Sequence, residues 1–434
     1  MLPESEQRTL FEQLQLRPII NGVGYATRVS GSCPHPDVVA AMSAASSRYF
    51  EIDDLLSAAS QQIQESTGAE AGIVTCGAGA ALTLAAAACL AGNNPDVMDQ
   101  LPDISGLTRS EIIYPIPGPF DYDHAIRLSG ARLVLIDYHA PDALDQIERS
   151  ITDRTAAIGF VWLRVDERPD LEKLAELAHR HHLPLIVDAA CALPPKENLT
   201  AFIRGGADLV AYSGGKHLGG PQASGILCGR SDLIRSAWVQ MVDMDVRAGT
   251  WSLQHWIQQG WLSRPPRHGI GRSMKVSKES IIGVISALRR YPIRDPETEY
   301  AAWDTTIRCI YDAICDLPEL KITRLATGMN GQRYPNLRIE SGEGPQGMSV
   351  RDLIFALRQR ACLTESTTTT TYTTASAPAM TLAAVPARKV ILAEDEQTPD
   401  RAFLFPSCLQ PGDADEIILA IRQAAESYRS RIVR

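Results

Sequence analysis

The sequence predicts an α/β protein whose larger domain is built on a mostly parallel central sheet and whose smaller C-terminal domain is α+β. Three observations support this. Between about residues 68 and 240, short apolar runs alternate with helical patterns, which is the order of βαβ units. After about residue 290 the pattern changes to one long helix, shorter strands and a final helix. The 434 residues are enough to form two separate cores.

Seven apolar runs predict the strands of the large sheet. They are residues 72–75, 111–114, 132–137, 156–162, 183–188, 208–212 and 225–228. Helices should fill the gaps. Asp170 predicts the start of one, because the segment LEKLAELAHRHH follows it with apolar residues at helical spacing. The run Ala78 to Leu90 is almost entirely small and apolar and predicts a helix buried on most sides.

We expect residues 1–45 to pack with the small domain, residues 46–290 to form the large domain, and residues 291–434 to form the small one. In the small domain, residues 297–317 and 413–432 predict helices, and the segments ITRLAT and NLRIE predict strands. The threonine-rich run from Thr364 to Thr374 predicts an irregular edge segment, because its β-branched residues favour extended backbone.

Composition argues against several classes of function. The net charge of -9 and the isoelectric point of about 5.6 argue against a broad basic surface for nucleic acid. No window reaches the roughly 18 apolar residues of a membrane span, and the N-terminus lacks the features of a signal peptide. The nine cysteines are scattered and form no C-x-x-C pair. We therefore expect a cytoplasmic protein without a metal site and without membrane or nucleic-acid partners.

Two segments 28 positions apart carry the strongest chemical signal. LPLIVDAA leaves Asp188 at the C-terminal end of a buried strand, and YSGGKHLGGPQASG places Lys216 in a glycine-rich turn. Both positions belong at the ligand-binding edge of a parallel sheet. Pyridoxal 5'-phosphate (PLP) requires a lysine that forms a Schiff base and a carboxylate that keeps its pyridine nitrogen protonated. The pair therefore predicts a PLP site, although each residue alone also suits a turn or a solvated loop.

The segment VTCGAGAAL predicts the site for the phosphate of PLP. It reads as a strand, a turn of small residues and a helix whose free backbone N–H groups attract an anion. The predicted cofactor contacts are therefore Cys76, Gly77, Ala78 and Gly79, with Ser213 as a further hydrogen-bond donor. The alternative ligand is NAD, since the string nearly matches G-x-G-x-x-G, but Leu82 replaces the third glycine.

Several segments resemble one known family: RPIINGVGYATRVSGS, TGAEAGIVTCGAGAALTLAAAACL, GADLVAYSGGKHLGGPQASGILCGR and GIGRSMKVSKESIIGVISAL. They are similar to the fold-type-I PLP enzymes of the selenocysteine synthase-like group, and within it to the branch that includes D-glucosaminate-6-phosphate ammonia-lyase. The resemblance implies a fold-type-I PLP-dependent transferase fold, Lys216 as the Schiff-base lysine, Asp188 as the pyridinium partner, and phosphate contacts from the Cys76–Gly79 turn and Ser213. It also implies a homodimer or a larger homo-oligomer.

Candidate substrate contacts are less well defined. Arg272 in GIGRSMKVSKE and Arg28 in GYATRVSG can each grip a carboxylate or phosphate through two hydrogen bonds, although a surface salt bridge is the alternative interpretation. The loop YPIPGPFDYDHAIR offers Phe120, Tyr122 and His124 as groups that could stack on the cofactor ring or contact the substrate. His124 also suits an ordinary position in a short helix.

These residues predict an enzyme that removes the Cα proton of a small amino acid or amino-sugar acid through Lys216. A lyase that eliminates water and then releases ammonia is the preferred reaction. The same proton abstraction also suits a racemase, an epimerase or an aldolase, and a non-catalytic PLP-binding protein is a further alternative. The tRNA-dependent seleno-transferases carry an N-terminal region that grips tRNA, whereas about 16 residues precede RPIING here, so we expect no tRNA substrate.

Overall fold

The computed structural model describes residues 10–162, 170–328, 331–363 and 387–432. The predicted edge segment Thr364 to Thr374 lies outside the described residues. The chain divides into two compact units. Of the described residues, the larger unit comprises 32–162, 170–294 and 331–332, and the smaller combines 10–31, 295–328, 333–363 and 387–432. Among the described helices, none is both long enough and apolar enough to cross a membrane.

Strands and helices alternate through most of the chain. In order, the strands are β1 (Ile19–Gly22), β2 (Ala71–Thr75), β3 (Glu111–Pro115), β4 (Arg132–Ile136), β5 (Thr155–Val161), β6 (Leu185–Asp188), β7 (Leu209–Ser213), β8 (Gly225–Gly229), β9 (Leu320–Thr327), β10 (Arg333–Ser341), β11 (Lys389–Glu394) and β12 (Arg401–Leu404). The helices are α1 (Pro36–Ser46), α2 (Ile52–Thr67), α3 (Ala78–Ala91), α4 (Pro95–Gln100), α5 (Asp123–Arg127), α6 (Ala143–Ser150), α7 (Leu171–Arg180), α8 (Asn198–Arg204), α9 (Ser231–Met241), α10 (His255–Gln258), α11 (Lys278–Arg290), α12 (Pro296–Ile314), α13 (Val350–Leu363) and α14 (Asp413–Ile432).

The larger unit is organised around a seven-stranded sheet with the strand order β2-β8-β7-β6-β5-β3-β4. All neighbours pair in parallel except β8, which is antiparallel to both β2 and β7. Each predicted strand of this sheet is confirmed. Strands β5 and β6 are buried along their whole length, as expected of central strands covered on both faces. The C-terminal ends of β2, β6 and β7 consequently meet at one edge of the sheet.

Two helices show why the local sequence folds as predicted. Asp170 caps α7, since its Oδ1 atom accepts hydrogen bonds from the backbone N–H groups of Glu172 at 3.1 Å and Lys173 at 3.2 Å. Helix α3 is buried along most of its length and lies against strands β5 to β8. Its small residues permit this close approach, which brings the N-terminus of α3 to the edge where β2 ends.

The smaller unit is α+β, as predicted. Its sheet has the order β1-β11-β12-β10-β9, in which β1 pairs in parallel with β11 and the other neighbours are antiparallel. Helices α12, α13 and α14 supply the rest of its core, which includes Ile310, Leu353 and Ile417.

The division of the chain differs from the predicted one near the N-terminus. Helix α1 packs against α11, and its Val38 is buried in the core of the larger unit. Residues 32–45 therefore belong to the larger unit, where the sequence analysis had placed them with the small domain. The reason is that α1 carries few large apolar side chains, so its sequence gives little indication of the face that it buries.

Candidate active site

Asp188 is the last residue of β6, and only 6% of it is exposed. Its Oδ1 atom accepts a hydrogen bond from the backbone N–H of Ala190 at 3.0 Å. Burial raises the pKa of this carboxyl, and the Ala190 N–H and the charge of Lys216 only partly oppose the rise. A buried carboxylate is stabilised by a cationic partner, and a protonated pyridine nitrogen is such a partner.

Lys216 lies in the turn between β7 and β8, where glycines allow the backbone to fold tightly. A Cβ atom on Gly214 would lie 2.2 Å from the Ser224 Oγ, and one on Gly215 would lie 2.3 Å from the Gln222 carbonyl oxygen. The N–H of Gly220 donates back to the Gly214 carbonyl at 2.8 Å. The SGGK and LGG segments therefore face each other across the turn, which explains why both are rich in glycine.

The Lys216 amine lies next to a cysteine that the sequence analysis missed. Its Nζ donates to the Cys191 Sγ at 2.9 Å, and Cys191 follows Asp188 by three residues in the loop after β6. Burial lowers the pKa of Lys216, but Cys191, Tyr122 and Asp188 outweigh this effect, so the pKa lies above its ordinary value. The sequence does place Cys191 close to Asp188, near the predicted site. That spacing does not indicate that the cysteine contacts Lys216.

The predicted phosphate turn lies at the same edge of the sheet. Thr75 and Ser213 both pair in register with Gly225, on opposite sides of β8. A Cβ atom on Gly225 would lie 2.4 Å from the carbonyl carbon of Gly77, so the turn packs directly on β8. A Cβ on Gly77 or Gly79 would meet nothing within 4 Å, which leaves open space before the N-terminus of α3. The N–H groups of the first helical turn have no partner within the helix and can bind an anion there.

His217, the residue after Lys216, ties the lysine turn to the segment that follows α11. Its buried ring places Nδ1 2.8 Å from the Tyr291 hydroxyl and Nε2 3.2 Å from the Arg294 guanidinium. Arg294 also donates to the His217 carbonyl. The sequence gives no indication of this group, because 74 positions separate His217 from Tyr291.

The aromatic candidates occupy different environments. Tyr122 is 62% exposed and faces Lys216 closely enough to affect its pKa, and its ring lies 5.6 Å from that of Phe120. Phe120 is half-buried against the core. His124 is exposed on the short helix α5. Among these three side chains, Tyr122 therefore interacts electrostatically with the Lys216 amine.

The two candidate arginines belong to different units. Arg272 forms an ion pair with Asp243 at 2.8 Å, beside a cavity of about 220 Å³. Residues Ile52, Met241, Val242, Asp243, Arg272, Lys275 and Val276 line this cavity. Arg28 is exposed on a 3-10 turn (Thr27–Val29) of the smaller unit. The structure thus brings together Asp188, Lys216, Ser213 and the Cys76–Gly79 turn, while Arg272 already has a carboxylate partner.

Comparison with known proteins establishes the family. The family model described as "SelA: L-seryl-tRNA selenium transferase" matches residues 38–248. A "D-glucosaminate-6-phosphate ammonia lyase" of Salmonella typhimurium is 30% identical over 295 residues, which are 65% of this chain and 70% of that protein. The chain belongs to the SelA-like family. The relationship identifies it as a PLP-dependent enzyme, as the sequence analysis predicted.

Two further comparisons place the SelA-like chain within its family. A "5'-C-glycyluridine monooxygenase-decarboxylase" of a Streptomyces species is also 30% identical, over 314 residues that are 69% of this chain and 70% of that protein. The solved structure of a D-glucosaminate-6-phosphate ammonia-lyase matches with a TM-score of 0.73 and 24% identity, covering 99% of this chain and 100% of that one. The fold is that of the fold-type-I PLP enzymes, which confirms the predicted fold class.

Proposed function

We propose that this SelA-like enzyme is a PLP-dependent lyase that acts on a small amino acid or amino-sugar acid, eliminates water and releases ammonia. The observation that carries the proposal is the meeting of Asp188, Lys216 and the Cys76–Gly79 turn at one edge of the sheet. These residues offer a buried carboxylate, an amine and an anion site, which match the pyridine nitrogen, the aldehyde and the phosphate of PLP. The similarity to the ammonia lyase supports the choice of reaction.

Asp188 is the residue that we assign to the pyridine nitrogen. When bound, PLP supplies an electron-accepting ring for the electron pair that remains at the substrate Cα. The buried Asp188 carboxylate would gain a cationic partner from the protonated ring, and this contact would keep the ring proton in place. Asp188 therefore stabilises the charge that proton abstraction creates.

Lys216 is the residue that we assign to cofactor attachment and proton transfer. With PLP bound, the Nζ of Lys216, freed by the incoming substrate amine, would take the proton from Cα. Loss of the β-hydroxyl then breaks the Cβ–O bond, and a proton delivered to that oxygen makes water the leaving group. The product would leave as a free enamine when Lys216 takes its place on the cofactor again. The enamine would tautomerise to an imine, and water would hydrolyse its C=N bond to ammonia and a 2-keto acid. No oxidant is required.

We assign the phosphate contacts to the Cys76–Gly79 turn and Ser213, and the geometry of the sheet edge supports this assignment. The open space before Gly77 and Gly79 gives a phosphate access to the N-terminus of α3, and the Cys76–Gly79 turn supplies backbone donors. Ser213 lies across β8 from Thr75, about 10 Å away at the usual strand spacing. We propose that the Ser213 hydroxyl donates to the phosphate from this side of β8.

The acid group of the substrate requires a cation, for which we propose Arg272, with Arg28 and His124 as further candidates. Arg272 presents a planar guanidinium, and the substrate anion would compete with Asp243 for it. We also propose that the enzyme is cytoplasmic and assembles as a homodimer or larger homo-oligomer, as the family resemblance implies.

A second candidate reaction is an oxygen-dependent decarboxylation. It is favoured by the Streptomyces relative, which is as similar to this chain as the ammonia lyase is. Both reactions would use the same cofactor and the same lysine, so the residues at the sheet edge are compatible with either. The two differ in their products and in the consumption of oxygen.

The experiment that tests the proposed reaction is an assay of the purified enzyme with PLP against D- and L-amino acids and amino-sugar acids. Ammonia and 2-keto acid released in equal amounts from a β-hydroxy substrate, with no oxygen consumed, is the expected result. Carbon dioxide release with oxygen uptake would instead support the decarboxylase, and chiral inversion without ammonia would support a racemase. Saturable binding of tRNA without turnover of any free amino acid would contradict the lyase and favour a transferase.

A further inference from the structure

Cys191 is the side chain that contacts the Lys216 amine directly. The Nζ to Sγ distance is 2.9 Å, which is within hydrogen-bond range for a sulfur acceptor. The loop that carries Cys191 begins at Asp188, so one strand end delivers both the carboxylate and the thiol to the site. The proposed reaction requires an amine at Lys216 but does not require a thiol beside it.

The backbone of this loop is held on both sides of Cys191. The Ala189 N–H donates to the Ala211 carbonyl at 2.9 Å, and the Ala192 N–H donates to the Ala189 carbonyl at 3.0 Å. The Asn198 side-chain amide donates to the Ala192 carbonyl at 2.7 Å. Because these bonds anchor the loop to β7 and α8, the position of the sulfur is fixed by the fold rather than by its contact with Lys216.

Among the residues that the structure describes, the titratable groups that act on Lys216 lie around the end of β6 and at the start of α5. Cys191, Tyr122 and Asp188 each favour its protonated form, and of these Cys191 has the largest effect. Asp188 is assigned to the cofactor ring, and Tyr122 acts on the amine by electrostatics, whereas the exposed Cys191 also accepts a hydrogen bond from it. Cys191 is therefore the group best placed to influence the lysine after it leaves the cofactor.

We propose that Cys191 is a positioning residue that holds the freed Lys216 amine beside the substrate and controls its readiness to take the Cα proton. This inference rests on the proposed attachment of PLP to Lys216. The sulfur accepts a hydrogen bond from the amine while the lysine is free. A residue without a hydrogen-bonding group at position 191 leaves the amine with more rotational freedom and a weaker hold on its proton.

The test compares the pH dependence of kcat for the PLP-bound wild-type enzyme and the Cys191→Ala variant. Proton abstraction requires neutral Lys216, so loss of the thiol should move the acidic limb of the profile to lower pH. The expected movement is about half a pH unit or more, which corresponds to about a threefold change in the protonation equilibrium from loss of one hydrogen bond. We also expect kcat to fall by more than KM changes, because the amine is less well oriented.

Two further variants separate positioning from simple loss of structure. Cys191→Ser keeps a hydrogen-bonding group and should recover a large part of kcat. Cys309→Ala removes an exposed cysteine of α12 and should leave the pH profile unchanged. An unchanged acidic limb in Cys191→Ala, or equal losses in the Ala and Ser variants, would overturn the proposal.

Each variant is also reduced with borohydride and mapped for the pyridoxyl group. Label on Lys216 with an unchanged pH profile would refute the role of Cys191 while leaving the proposed function intact. Absence of label on Lys216 in the wild-type enzyme would refute the proposed function itself. The two failures are therefore distinct.

Discussion

The Nδ1 atom of His217 lies 2.8 Å from the hydroxyl of Tyr291, and both side chains are buried. Arg294 holds the same imidazole from its Nε2 side at 3.2 Å. Because His217 follows Lys216 directly, this buried contact fixes the turn that carries the candidate cofactor lysine. The position of Lys216 thus depends on a residue located after the end of α11.

Replacing Tyr291 with Phe should destabilise the larger unit. The change leaves a buried His217 nitrogen without its hydroxyl partner, which costs about 1 to 3 kcal/mol. The free energy of unfolding, measured by urea denaturation, is the test. The matched control is Tyr49→Phe, which removes a hydroxyl from a 98% exposed ring and should have little effect. Equal stability of the two variants would contradict a structural role for the Tyr291 hydroxyl.

Replacing Gly225 with Ala should weaken the binding of PLP. The new Cβ would lie 2.4 Å from the Gly77 carbonyl carbon, so the phosphate turn must move. Loss of one or two phosphate hydrogen bonds raises the Kd for PLP by about tenfold or more. Titrating the apoenzyme with PLP by absorbance measures this, with Gly249→Ala as the control, since a Cβ there meets nothing within 4 Å. A Kd that changes equally in both variants would refute the predicted phosphate contact.

The raised pKa of Asp188 predicts an unusual pH dependence for the apoenzyme. Burial favours the protonated carboxyl in the folded state, whereas the unfolded chain ionises near the ordinary value of 3.8. Below pH 3.8 Asp188 is protonated in both states, and its burial then costs no ionisation energy. The folded apoenzyme loses stability as the pH rises through the raised pKa and the buried carboxyl ionises. Asn does not ionise, so the Asp188→Asn apoenzyme should not lose stability in this way. It should therefore be more stable than the wild type at neutral pH, and its advantage should shrink as the pH falls towards 3.8.

Urea denaturation of both apoenzymes across this pH range tests the sign. The control is Asp312→Asn on the exposed face of α12, which should confer no such advantage. With PLP bound, Asp188→Asn should lose turnover by on the order of 10², since a lost electrostatic partner costs about 3 kcal/mol. An apoenzyme that is less stable at neutral pH after Asp188→Asn would contradict the cost assigned to the buried carboxylate.

The proposed role of Arg272 is tested by comparing the two members of its ion pair. If Arg272 grips the substrate anion, Arg272→Ala should raise KM by about tenfold, while Asp243→Asn removes only a competitor and should not raise it. The absorbance of bound PLP should be unchanged in both variants. If the pair is purely structural, the two substitutions should give similar losses, and that outcome would refute the assignment.

The sequence predicted the large sheet well, because each buried parallel strand appears as a continuous apolar run. Asp188 and Lys216 were predicted together because both follow strands of that sheet. The contact between Cys191 and Lys216 was not predictable, since it depends on how the loop after β6 is anchored to β7 and α8. The packing of α1 was also missed, because Val38 is one of few large apolar residues on a helix of mostly small ones.

Every role proposed for this site depends on the attachment of PLP to Lys216, which is tested by reducing the purified PLP-bound enzyme with borohydride. The reduced protein is digested and its peptides are mapped by mass spectrometry. We expect one pyridoxyl group per chain on the peptide that contains YSGGK, and none in the Lys216→Ala variant. Label on a different lysine, or undiminished label in Lys216→Ala, would contradict it.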